Sequence, residues 1–195
     1  MVNTEKRSIL IRYGLLLEYA TLAWNVIEVG FLFYAAIKSG SVALAGFGID
    51  SLIEIFASVI VVWQLKAIEN RREKFAIKSV GIAFFCLAIY IIAQSLYVII
   101  TMSHPESSPL GILWLSMTVI AMLLLAKGKS IVGKQIQNRV LQKESKVTLI
   151  DASLAGAILI GLILNASLGW WWADIAASFI LVYYGLKEGF QAFRE

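Results

Sequence analysis

The chain has 195 residues, 59% of them hydrophobic and only 15% charged, with a mean hydropathy of +0.80. Soluble domains run nearer a quarter charged, so this composition excludes a water-soluble globule and places the chain in a lipid bilayer. The net charge of +4 is too small and too dispersed to suggest a nucleic-acid partner, and the single cysteine, Cys86, leaves no intrachain disulfide and no thiolate cluster for a soft metal.

Six apolar segments follow one another, at about 9–37, 41–65, 79–102, 110–126, 148–168 and 170–190. Each approaches or exceeds the ~20 residues that a spanning helix needs, the fourth being the shortest. The expected fold is therefore an all-α integral membrane protein, a six-transmembrane-helix bundle. It forms one transmembrane domain over residues 1–195, with no soluble domain. The opening MVNTEKRS is basic, but the apolar run behind it is longer than a signal-peptide core and ends in no small-residue cleavage site. It reads as a retained first span.

The first span carries Glu18, Thr21, Asn25 and Glu28, which at 100° per residue fall within an arc of about 80°. Its neighbours Leu22, Val26, Val29 and Phe33 are apolar, so one polar face runs along this helix. The second span, GSVALAGFGIDSLIEIFASVIVVW, holds Asp50 and Glu54 one turn apart on one face. At ~1.5 Å per residue they lie roughly 15 and 21 Å from Gly40, near the middle of a bilayer. Ala43, Gly46, Asp50, Glu54, Ala57 and Ser58 continue that face as a small or polar stripe fit for close packing, leaving Leu52, Ile53, Ile60 and Trp63 for lipid.

Spans three and four offer neutral groups only, Gln94, Ser95, Ser116 and Thr118, which suit interhelical hydrogen bonds. The loop between them, SHPESSPLG, contains both prolines and the single histidine, His104. Residues 127–146 form a basic link. Its apolar positions Ile131, Val132, Ile136 and Val140 suit anionic lipid, or the link is a solvated helical connector. Span five carries Asp151 and Asn165, and Trp170, Trp171 and Trp172 mark an interfacial anchor before span six.

Of the 17 Lys and Arg residues, all but Lys38 fall near the start of span one, between spans two and three, between four and five, or from the end of span six onward. That asymmetry expects both termini in the cytoplasm. Within the spans, Glu18, Glu28, Asp50, Glu54 and Asp151 are expected to meet no lysine or arginine. An acid at the bilayer centre costs about 2.5–3.5 kcal/mol even on lenient scales. Unpaired carboxylates in low dielectric either stay protonated or hold a cation. The spans show no His-Glu-x-x-His, no Gly-x-Ser-x-Gly and no nucleophile–base pair, so a conduit for cations is expected rather than an enzyme.

The run GSVALAGFGIDSLIEI resembles the second helix of the cation diffusion facilitators, six-span exporters of zinc and related divalent metals. In that family two ligands four residues apart on helix two meet a His-x-x-x-Asp pair on helix five. The resemblance implies Asp50 and Glu54 as the first pair, with Glu in place of the more usual Asp, and Asp151 as the aspartate, aligned through the following Gly-Ala-Ile-Leu and Gly-Trp-Trp-Trp-Ala-Asp runs. The histidine position is then Val147, with Asn25 or Glu28 as candidates to take its place and Glu18 on the pathway. The chain looks closest to a short branch without the C-terminal cytosolic domain, in which a Glu-Tyr-x-x-x-x-x-Asn-x-x-Glu run recurs on helix one, here Glu18, Tyr19, Asn25 and Glu28.

Such an oxygen-rich set widens the cargo from the family's zinc to manganese, iron or cobalt, since zinc prefers imidazole or thiolate. Because metal must displace protons from carboxylates on binding, metal/proton antiport by alternating access is expected. In a bacterial inner membrane that means export from the cytoplasm. The family also implies a homodimer. Two other readings remain open on the sequence, a non-transporting membrane partner or regulator and a proton-coupled carrier of small organic cations. A straight helix traced back from Trp170 sets Asp151 roughly 28 Å from the outer boundary, deeper than Asp50, so meeting Glu54 requires tilt, a kink or a thinned vestibule.

Overall fold

The computed structural model describes residues 4–66, 73–102 and 104–194, and among these there is no strand. Six helices follow in order: α1 (Thr4–Ser39), α2 (Val42–Lys66), α3 (Glu73–Thr101), α4 (Pro109–Gln135), α5 (Arg139–Leu168) and α6 (Trp171–Arg194). Among the described residues, four stretches are long and apolar enough to cross a membrane: Ile9–Ser39, Phe84–Thr101, Pro109–Gln135 and Glu144–Leu168. The protein is an all-helical, multi-pass membrane protein. Arg71 and Arg72 lie outside the described residues. So do the side chains of Lys6, Arg7, Ala57, Ser58, Ile60, Trp63, Lys66, Lys74, Lys78, Arg139, Val140, Lys143 and Arg194.

Local chemistry sets the helix ends. Gly40 takes φ 66° and its N–H bonds Ala36 O at 2.8 Å, a left-handed stop that glycine tolerates. Ser108 caps α4 by accepting from Gly111 N at 3.2 Å, with Pro109 at the first turn where its missing N–H costs nothing. Asn138 caps α5 from Leu141 N at 3.0 Å, and Gly169 at φ 67° ends it.

Three helix pairs carry most of the packing, α1 with α2, α3 with α6 and α4 with α5, while α2 also touches α3, α5 and α6. Leu32, Ala43, Leu44, Phe47, Leu87, Ile91, Leu115, Ile158 and Leu181 close the main core. Gly161 lets α5 approach α6: a Cβ there would stand 2.9 Å from Ala173 O. Ile53 belongs to this core rather than to the lipid face, whereas Leu52 is exposed as expected.

The basic link differs from its sequence reading. It is not a segment separate from the helices on either side. Instead α4 continues to Gln135, turns through Gln137 at φ 54°, and α5 begins at once. Val132 and Ile136, expected on lipid or in a solvated connector, are buried with Leu141 in a second cluster against Leu10 and Leu17, while Ile131 stays exposed. The tightness of this hairpin requires glycine at 133, where a Cβ would meet Gln142 Cγ at 3.0 Å and Gln142 N at 3.1 Å.

Candidate cation pathway

The polar residues of α1 stack in levels, each met by side chains from other helices. At the level nearest the α4–α5 turn, Glu18 is fully buried beside Lys129 of α4, whose Nζ stands 3.1 Å from Glu18 Oε2. The same ammonium lies 3.6 Å from Glu144 Oε1 and donates to Thr148 Oγ1 at 3.1 Å, both on α5. This corrects the expectation that no lysine reaches the polar interior. Lys129 was counted as a link residue, but because α4 runs on as helix it is buried with its charge compensated by two carboxylates.

Two helical turns further along α1, roughly 10 Å, lies Asn25. Its Nδ2 donates to Glu54 Oε2 of α2 at 3.0 Å, joining the first two helices in mid-membrane. The same seven-residue step on α5, from Glu144, leads to Asp151, so α1 and α5 present matching levels. Asp151 is buried on a helix that touches α2, the helix of Asp50 and Glu54. The depth difference inferred from straight helices therefore does not keep α5 away from α2. Asp50, one turn up α2, is buried.

These groups retain unused capacity. Asn25 Oδ1, Asp50 Oδ1, Asp151 Oδ2 and Glu18 Oε1 are buried oxygens without a hydrogen-bond partner. Buried polar atoms are normally satisfied, whether by water, by a proton on a carboxylate or by a bound cation, so these four are the open positions of the interior. Among the described residues, no three His, Cys, Asp or Glu side chains close around a single point. Asp50 and Asp151 are buried and Glu54 is half-buried; the three form no closed ligand cage, and Val147 adds no donor.

Glu28 is placed differently from the others. Thr118 Oγ1 donates to its Oε1 at 2.5 Å, Trp114 Nε1 to the same oxygen at 3.2 Å, and Ser51 Oγ to Oε2 at 3.4 Å. Trp24 Nε1 in turn donates to Thr118 Oγ1 at 3.2 Å, and the Trp24, Trp114 and Phe31 rings stack alongside. The protein itself thus fills much of Glu28's acceptor capacity.

Several participants escaped sequence reasoning. Thr118 and Lys129 are eleven residues apart, so they fall within about 20° on one face of α4, a signal hidden by assigning them to a span and a link. Tyr184 of α6 is buried, and Glu188 follows it by one turn on the same face. Asp174 of α6 accepts from Ser41 Oγ, from Val42 N at 2.9 Å and from Ala43 N at 3.3 Å, placing an anion at the N-terminus of α2. It orients the helix that carries Asp50 and Glu54.

A multi-pass helical bundle with an acidic, incompletely satisfied interior defines a membrane protein built around cations. The chain belongs to the cation efflux transmembrane domain family, which it matches over residues 19–195. It is also similar to metal tolerance protein 4 of Oryza sativa subsp. japonica, 24% identical over 182 residues, covering 84% of this chain and 44% of that protein. The chain thus spans less than half the length of that curated relative.

Proposed function

We propose that the protein is a divalent metal cation transporter in which six spans carry Asp50, Glu54 and Asp151 as the cargo site, with Asn25 Oδ1 in place of the family's histidine. The observation that carries this reading is the set of buried, partnerless oxygens on Asn25, Asp50 and Asp151 around a level where Asn25 already orients Glu54. Membership of the cation efflux family supports it. Zinc is the first candidate for cargo, with manganese, iron and cobalt favoured next by all-oxygen ligation.

The asymmetry of Lys and Arg supports cytoplasmic termini and six crossings. The carboxylates that take a divalent cation must give up any protons they carry, so loading releases protons and protonation ejects metal. Reopening toward the more acidic side then makes the cycle a metal/proton antiport, which across a bacterial inner membrane exports metal. Glu28 is assigned a supporting role, because Thr118, Trp114 and Ser51 occupy its oxygens.

Equilibrium titration of the purified protein in nanodiscs with Zn²⁺ and with Mn²⁺, using D50A as control, tests the cargo site. Saturable binding lost in D50A is expected; absent binding, or binding that survives D50A, overturns it. In liposomes an imposed proton gradient is expected to drive metal against its concentration, and D50N or E54Q to abolish this.

A further inference from the structure

Lys129 joins three helices at one level. Its fully buried ammonium meets Glu18 of α1 at 3.1 Å, and Glu144 and Thr148 of α5 at 3.6 and 3.1 Å. Burying an ammonium between carboxylates is a poor way to add stability, since an apolar side chain of similar volume often does as well or better. The position of this charge gives it another use. From the α4–α5 turn, a cation following the polar faces of α1 and α5 toward Asn25, Glu54 and Asp151 must pass Glu18 and Glu144 first. These lie seven residues, roughly 10 Å, before Asn25 and Asp151 on their own helices. At that level the Lys129 ammonium bridges α4 to α1 and α5, placing a positive charge among the acids of the two polar faces. Glu18 Oε1, fully buried beside the lysine, has no partner and can accept a further one.

We propose that Lys129 is a tethered cation that closes this end of the pathway, holding α4 and α5 against α1 through Glu18 and Glu144, and that opening requires the ammonium to leave Glu18. While it is seated, the lysine plugs the gap and repels an incoming divalent cation. When it withdraws, Glu18 and Glu144 become an acidic throat leading to the level of Asn25. Lys129 is a positioning residue on this account, because it acts on access and touches no cargo. The inference rests on the cation-pathway reading, but its test uses no metal.

Cys86 is the chain's only cysteine, so C86S provides a cysteine-free background. T21C places a reporter at a buried position one turn beyond Glu18, and S178C places a control at a fully buried position on α6. In nanodiscs, labelling by a charged methanethiosulfonate is expected to be slow at both. Adding K129M is expected to speed labelling of T21C at least tenfold while S178C stays within twofold, and K129R is expected to restore the slow rate. Where K129M does not fold, E18Q removes the other half of the pair and is expected to speed T21C in the same way. An unchanged T21C rate in the folded variant, or a rise shared equally by S178C, overturns the proposal. Loss of Zn²⁺ binding in the parent protein would instead strike the cargo site, leaving the labelling result to be read by itself.

Discussion

Asn25 Nδ2 donates to Glu54 Oε2 at 3.0 Å, and this one bond joins α1 to α2 and turns Asn25 Oδ1 away from Glu54. An amide satisfies a carboxylate without neutralising it, so Glu54 keeps its capacity for a cation while its rotamer is held. Asn25 Oδ1 is left buried and without a partner as a direct result.

Removing that bond should therefore weaken cation binding without abolishing it. N25A is expected to lower Zn²⁺ or Mn²⁺ affinity about tenfold, the equivalent of one hydrogen bond to a charged group at roughly 1.5 kcal/mol. Equilibrium titration measures it. An affinity unchanged by N25A would remove Asn25 from the site.

Glu28 separates a structural acid from a ligand. E28Q keeps the side-chain shape and one acceptor for Thr118 and Trp114, so metal affinity is expected to stay within about threefold. E28A leaves those donors without their acceptor and is expected to lower the melting temperature in detergent. If E28Q eliminates binding, Glu28 is a ligand and its hydrogen bonds are those of one conformation only.

Asp174 joins α6 to the start of α2. D174A strands the Ser41 hydroxyl and the N–H groups of Val42 and Ala43, each donating to it now. A loss of about 2–4 kcal/mol of stability is expected from several buried donors left unsatisfied. S41A leaves Asp174 bonded to the Val42 and Ala43 N–H groups and frees one donor, Leu44 N, which now bonds Ser41 Oγ at 3.1 Å, so it should cost less. Thermal unfolding in detergent ranks the two, and the reverse order would contradict this assignment.

Gly161 tests the α5–α6 contact on which the placement of Asp151 depends. A methyl group there would meet Ala173 O at 2.9 Å and Ala177 Cβ at 3.0 Å, with backbone on one side and little room to yield. G161A is expected to destabilise by about 1–3 kcal/mol, as overpacking does in a close-packed interior. A G161A melting temperature equal to the parent's would show that the helices separate freely.

The proposed orientation is tested with single cysteines in a C86S background. S107C, in the exposed loop before α4, is expected to label from outside the cell. K146C, at an exposed position on α5 close to the α4–α5 turn, is expected to label only after the cytoplasm is opened. Ser145 is buried and bonds Gln142 O at 2.9 Å, which makes it a poor reporter beside its neighbour. Reversed labelling would invert the bundle and with it the proposed direction of transport.

Composition and periodicity by themselves determined that this chain is helical, lives in a membrane, and turns Glu18, Asn25 and Glu28 to one face of α1 and Asp50 and Glu54 to one face of α2. Those are properties of single helices, set by a repeat of 3.6 residues and by the cost of polar groups in lipid. The tertiary structure decided who meets whom. Lys129 pairs with Glu18, Thr118 with Glu28 and Asp174 with Ser41, the last two across 90 and 133 residues of chain. Val132 and Ile136 went inward for the same reason, because α4 and α5 close into a hairpin over Leu10 and Leu17 instead of parting at a link. Helical spacing places a side chain on a face, but its partner depends on the register and crossing of helices distant in sequence, which the packing of the whole bundle sets.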